Sequence, residues 1–277
     1  MTTYLLPNDL LENKDQQICI YDYLISNTVT KNKITLNQNI FSFLQEGIKE
    51  VTHFDKHITI QNDKFLLIKS GKCLMTEKLS QKKQYRSFLL FFDDDWLISF
   101  IEKYKVILEN NNTPSPFIAF DYDRYIRNFV LSLIHIHEES KMLQQQILHT
   151  KLEEIMLYLV HKNGAAFLYK FLNSTIYNKE HFTSVIENNI YTNLSVEELA
   201  FLCNKSISAF KREFKKVYDD SPIKWFREKR LSHAAFLLKH KKLRASDIYM
   251  QVGYESLSSF IQAYKKHFGK TPKQHTI

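Results

Sequence analysis

Ser195 to Tyr218 reads SVEELAFLCNKSISAFKREFKKVY, and the spacing within it decides what the last third of the chain is. Ser195 precedes Glu198 by three residues, the reciprocal pattern in which a hydroxyl accepts from a backbone N–H and the carboxylate reaches back to the cap. A short helix therefore starts at Val196. Phe201 to Lys205 reads as a brief turn, and Ser206 as the cap of a second helix, Ile207 to Tyr218. Phe210, Phe214 and Val217 are assigned to its inner face, which leaves Ser208, Lys211, Arg212, Lys215 and Lys216 outside with Ser206. Small polar and basic residues on an exposed second helix suit the DNA major groove. Arg212 can pair with guanine, Lys211 can reach a base or a phosphate, and Lys215 and Lys216 can hold phosphates. Occurring once, such a pattern reads better as an ordinary surface helix with solvated lysines.

The pattern occurs twice, with Ser256 following Ser206 at an offset of 50 residues. Ala245 to Val252 reads as a short helix, Gly253-Tyr254-Glu255 as a turn in which glycine supplies positive φ, and Ser256 as the cap of Leu257 to Phe268. Phe260, Tyr264 and Phe268 face inward; Ser258, Ser259, Gln262, Lys265 and Lys266 face outward with Ser256. Pro222 opens a helix between the units, through Trp225, Phe226, Leu231, Ala234, Ala235, Leu237 and Leu238. Its apolar length can pack against both. A rigid connector would let two reading helices enter successive major-groove segments about 34 Å apart on one face of the duplex. Lys205 and Arg227 are candidate phosphate contacts, with Lys229 and Arg230 as further basic groups near the backbone.

Charge agrees with this placement. Residues 180–277 hold 17 Lys+Arg against 10 Asp+Glu, while the preceding 179 residues hold 21 against 20, so nearly all the formal +8 lies in the last third. The chain of 277 residues, 44% hydrophobic with 5 Gly and 5 Pro, is expected to be packed throughout. The first residues carry no basic segment followed by an apolar run, and no long uninterrupted apolar stretch occurs, so a cytoplasmic protein without membrane contact is expected. Cys19, Cys73 and Cys203 are odd in number and widely spaced, which argues against a disulfide framework and a metal-ligand pair.

Upstream, Ile18–Ile25, Ile58–Ile60, Phe65–Ile68 and Ser87–Phe92 read as strands, with turns at Asn62-Asp63 and Ser70-Gly71: an antiparallel region, taken as a small barrel. After Asp93-Asp94-Asp95 the period becomes helical through Trp96, Ile98, Phe100, Ile101 and Tyr104, one of those aspartates serving as cap. Asn110 to Pro116 is a loop, and helices are expected from there on: Tyr122 to Ile136, Gln144 to His161 closed by Gly164, and His181 to Tyr191. Leu148, Leu152, Ile155 and Leu159 form an apolar stripe, either internal core or a possible dimer seam.

Taken together, these residues resemble the AraC/XylS family of transcription regulators. Ser195 to Phe226, Arg230 to Leu238, Ile248 to Tyr254 and Ser256 to Pro272, the last reading SLSSFIQAYKKHFGKTP, follow the family's DNA-binding domain in order and spacing. Phe65 to Gly71 and Lys151 to Ile155 are similar to motifs of the ExsA-like branch. The resemblance implies an α+β chain: a cupin-like β-barrel with trailing helices over residues 1–175, regulatory and dimerising, then an all-α DNA-binding domain over 176–277. Helix-turn-helix units are expected near 196–217 and 244–267. It further implies an activator that binds double-stranded DNA near the site of RNA polymerase, as a homodimer, answering to a regulatory protein or a small-molecule effector. A repressor or a constitutive binder is the alternative mode. Two positions depart from the family pattern: Gln262 stands where a basic residue is common, and Tyr249 where a small one is.

An enzyme is the alternative from another class, a catalytic cupin tethered to DNA. Its metal would fall to His53 and His57, but no clustered cysteine or carboxylate completes a ligand set, and His135 and His137 at i and i+2 do not share a helix face. No phosphate-binding glycine loop or nucleophile elbow occurs, and a DNA-repair methyltransferase would need a cysteine cluster. No cofactor, no metal and no catalytic residue are expected.

Overall fold

The computed structural model describes residues 3–11, 17–53, 56–108, 115–172 and 181–275. Most of the expected loop, at 110–114, and the expected domain boundary at 175/176 lie outside the described residues. The chain divides into two compact units, Met1–Asn178 and Lys179–Ile277.

Among the described residues, the first unit is built on ten strands: β1 (Thr3–Leu6), β2 (Ile18–Ile25), β3 (Val29–Leu36), β4 (Asn39–Glu46), β5 (Ile48–His53), β6 (Lys56–Ile60), β7 (Lys64–Ile68), β8 (Gly71–Lys78), β9 (Tyr85–Phe92) and β10 (Phe117–Asp121). They form two five-stranded sheets, ordered β1-β3-β8-β5-β6 and β10-β7-β4-β9-β2. Only β1 on β3 is parallel among these pairings. The expected closed barrel is not what forms: each sheet keeps two edges, β1 and β6 in one, β10 and β2 in the other. Successive strands β3, β4 and β5 switch sheets at tight corners. At one of them Gly47 has φ +98°, and a Cβ there would meet the Lys78 carbonyl at 2.6 Å.

Why β7 and β9 read as unbroken apolar runs is plain from their side chains. Phe65, Leu67, Phe88, Leu90 and Phe92 enter one core, and their alternates Leu66, Ile68, Leu89 and Phe91 enter another between the sheets. Both faces of this sheet are buried, so alternation disappears from the sequence. Helices cover its outer face: α1 (Asp94–Lys103), α2 (Arg124–Glu138), α3 (Lys141–Asn163) and α4 (Ala166–Leu172). Asp93 caps α1 by accepting from the Trp96 N–H at 2.7 Å, while Asp94 accepts from the buried Lys69 at 2.6 Å. Helices dominate beyond the 110–116 loop as expected, but a strand missing from the sequence reading precedes them: β10 pairs with β7 from Phe117 opposite Ile68 to Asp121 opposite Lys64.

The possible dimer seam is also corrected. Leu148, Leu152, Ile155 and Leu159 are at most 2% exposed and belong to the core that joins the helices to the sheet. A stripe already covered by its own domain has no face left for a second chain.

The second unit is helical: α5 (His181–Asn188), α6 (Val196–Leu202), α7 (Ile207–Tyr218), α8 (Pro222–His240), α9 (Ala245–Ile248), α10 (Leu257–Phe268) and α11 (Pro272–His275). The helix expected over Ala245 to Val252 is shorter, and 249–253 continue as turns. Among the described residues no helix is long and apolar enough to cross a membrane.

Candidate nucleic-acid interface

The first helix-turn-helix unit forms on its capping box. The Ser195 N–H donates to Glu198 Oε2 at 2.7 Å, and the Glu198 N–H donates to Ser195 Oγ at 3.2 Å. Ser206 caps α7 by accepting from the Ala209 N–H, and Ser256 caps α10 by accepting from the Ser259 N–H, both at 3.2 Å. The repeat extends past these caps. Both helices end on a left-handed residue, Asp219 and Gly269, and both are followed by a helix that starts on proline, Pro222 and Pro272. Every one of these pairs keeps the offset of 50.

Inside, Phe210 and Phe214 of α7 are fully buried, and Tyr218 packs against Phe214, its ring tilted, with 4.7 Å between centroids. Val217, expected inward, is 47% exposed. An inner stripe stepping by four residues reaches Tyr218, the counterpart of Phe268 behind Phe260 and Tyr264 in α10. The connector α8 packs on both units. Phe226 meets Phe214 at 5.9 Å, and Leu231, Ala234, Leu237 and Leu238 share a core with Phe260 and Tyr264.

All the expected reading residues are exposed: Ser206, Ser208, Lys211, Arg212, Lys215 and Lys216 on α7, and Ser256, Ser258, Ser259, Gln262, Lys265 and Lys266 on α10. The Ser206 and Ser256 hydroxyls are already engaged as caps. Ser256 Oγ also donates to Ser259 Oγ at 2.9 Å and lies 3.1 Å from Ser258 Oγ, so the second unit presents a linked set of small hydroxyls. A concavity of about 730 Å³ is bordered by both helices and the connector, with Lys211 from α7, Arg227 from α8, and Ser259 and Ala263 from α10.

Two basic residues expected near phosphates also have partners within the protein. Lys205 is paired with Glu213, 2.8 Å from Nζ to Oε2. Arg230 is partly buried and donates to the carbonyls of Ile190 (2.6 Å), Thr192 and Gly253 (3.3 Å). No local periodicity marks that role, because its partners lie 40, 38 and 23 residues away.

The residues weighed for catalysis do not converge. His53 is buried with Nε2 3.0 Å from the Lys69 carbonyl, while His57 is exposed between Thr52 and Thr59. Burial pushes the thiols of Cys19, Cys73 and Cys203 up to about 12, leaving them protonated and weakly nucleophilic near neutrality. Among the described residues no group of three or more His, Cys, Asp or Glu is placed to hold a metal ion.

Residues 39–171 match the family of the ExsA N-terminal regulatory domain, and residues 190–276 match a helix-turn-helix domain. The virulence regulon transcriptional activator VirF of Yersinia enterocolitica is 28% identical over 184 residues, which span 65% of this chain and 68% of that one. The regulator ExsA of Pseudomonas aeruginosa is 25% identical over 238 residues, 83% of each chain. A crystal structure of ToxT from Vibrio cholerae aligns with 96% of this chain and 98% of its own at 12% identity and a TM-score of 0.45. A regulatory β domain ahead of a helix-turn-helix domain defines a DNA-binding transcription regulator. The chain carries the two domains of AraC-family regulators, an N-terminal domain of the ExsA type followed by an AraC-type helix-turn-helix domain. Its relatives and matched domains are transcription regulators, not enzymes.

Proposed function

We propose that the protein activates transcription by reading two adjacent major-groove segments, one with α7 and one with α10, under control of its N-terminal domain. The repeated, exposed pair of serine-capped helices bordering one concavity with α8 is the observation that carries this reading. Aligned at the offset of 50, the units share Lys215 with Lys265 and Lys216 with Lys266 and differ where Arg212 faces Gln262. Shared lysines suit phosphates, which look alike everywhere; the differing pair suits bases, with Arg212 on guanine and Gln262 on adenine. Ser208, Lys211, Ser258 and Ser259 complete the reading surfaces, and Arg227 lies at their edge. RNA polymerase and a second copy of the chain are the expected partners at a promoter.

Control by a small effector is supported by a cavity of about 220 Å³ between the sheets, lined largely by apolar groups such as Leu6, Ile34 and Met75. One wall carries the buried Lys49, which donates to Glu77 at 3.2 Å and to the Tyr85 hydroxyl at 3.1 Å. Control by a regulatory protein is supported by the ExsA-type domain itself.

Selection of bound duplexes from a random pool by the full-length protein, followed by footprinting, tests the reading. Two protected major-groove segments on one face, about one helical turn apart, are expected. A single protected segment, or protection unaffected by Gln262→Ala, would refute it.

A further inference from the structure

We propose that Arg230 is the positioning residue that sets the spacing between the two reading helices, so that its guanidinium, not the sequence of either helix, fixes which separation of DNA segments is recognised. The inference rests on the two-segment reading above.

Arg230 lies on α8, and its three acceptors belong to the two segments that lead into the recognition units. Ile190 and Thr192 precede the Ser195 cap of α6; Gly253 precedes the Ser256 cap of α10. One planar group thus joins the entry of the first unit to the entry of the second helix. A guanidinium holds its N–H groups in a fixed fork, so carbonyls bound to it are fixed relative to one another. The Phe226 ring, 5.7 Å from the Arg230 Cζ, steadies it from one turn earlier on α8.

Neighbouring contacts enforce the same geometry. Gly253 has φ +82°, and a Cβ there would stand 2.9 Å from the Tyr191 carbonyl and 3.1 Å from the Arg230 Nε. The turn can close on the arginine only because no side chain intervenes. Asn193 Nδ2 donates to Glu255 Oε1 at 3.0 Å, a second bond between the same two segments. Tyr191 packs on His233 of α8 at 4.6 Å, anchoring the first segment to the connector one turn beyond Arg230. Each base pair of added DNA rotates the second segment by about 35° and moves it about 3.4 Å, so a small error in helix separation changes which spacing fits.

Full-length wild type, Arg230→Met and Arg230→Lys would be titrated against the selected duplex, a duplex keeping only the first unit's segment, and duplexes with one or two base pairs added between segments. Wild type should favour the two-segment duplex over the single segment by about a hundredfold. It should also reject altered spacing. Arg230→Met should keep single-segment affinity within about twofold while losing most of the two-segment advantage and its spacing preference. Arg230→Lys, a point charge able to satisfy fewer carbonyls, should fall between.

A Met variant that retains wild-type spacing preference would overturn the proposal. So would parallel loss of single-segment and two-segment binding by the Lys variant at a temperature where its circular dichroism is native. If wild type itself gains nothing from the second segment, the two-segment reading fails, and that is seen before any variant is compared.

Discussion

Lys205 Nζ and Glu213 Oε2 stand 2.8 Å apart, an ion pair between the turn of the first helix-turn-helix unit and the middle of its recognition helix. The pair separates lysines that a count of charge treats alike. Lys215 and Lys216 are exposed near the end of α7, whereas Lys205 is engaged within the unit. Lys215→Ala is expected to lower the slope of log affinity against log salt by about 0.9, one phosphate neutralised fewer, and Lys205→Ala to change it much less. Titrations at several salt concentrations measure both, and equal slopes for the two variants would contradict the assignment.

Arg212→Ala should weaken specific binding by about 1–3 kcal/mol and relax preference at one base pair of the first segment. Gln262→Ala should act on the second segment alone. Affinities for all single-base variants of the selected duplex separate these effects; a uniform loss across sequences would move Arg212 to the phosphates.

The buried stripe of α3 gives a test of the fold. Leu152→Ala opens space in a core where the residue is fully buried, and should cost about 2–5 kcal/mol. Thermal melting should register that loss, while the elution volume on gel filtration below the transition stays at its wild-type value. A change in oligomeric state without a loss of stability would return the stripe to an interface.

Asp123 caps α2 by accepting from the Ile126 N–H at 2.8 Å, and it also holds Lys162 and the Tyr158 hydroxyl. Burial alone would raise its carboxyl, but the N–H, the ammonium and the hydroxyl outweigh it and hold the group at about 2. A depressed folded value contributes stability above the unfolded carboxylate range, and that contribution is lost as pH falls from about 4 through 2. Melting temperature should drop over that window in wild type. Asp123→Asn should flatten the drop, and an identical pH profile in the variant would remove Asp123 as its source.

Local rules carry much of this protein. Ser195 with Glu198, and Ser206 and Ser256 before their apolar stripes, mark helix starts because capping involves residues three apart in the chain. Gly253 marks a turn because positive φ is a property of one residue. Phe65 to Ile68 and Ser87 to Phe92 are legible as strands from composition, yet which residues enter which core depends on what covers each face.

Tertiary contacts decided the rest. Val217 and Tyr218 are both apolar neighbours at the end of α7, and only packing against Phe214 selects Tyr218 for the inner face. Sheet closure depends on edge strands meeting, which no strand encodes alone, and the edges here stay apart. The first strand after the 110–116 loop was hidden because β10 takes its identity from β7 beside it. The amino-acid sequence by itself determined the two helix-turn-helix units and their caps, since hydrogen bonds and periodicity within a turn or two specify them. Only the tertiary structure decided that Arg230 faces three carbonyls and Lys205 faces Glu213, because those partners are assembled by packing α8 and α7 against segments the local pattern does not connect.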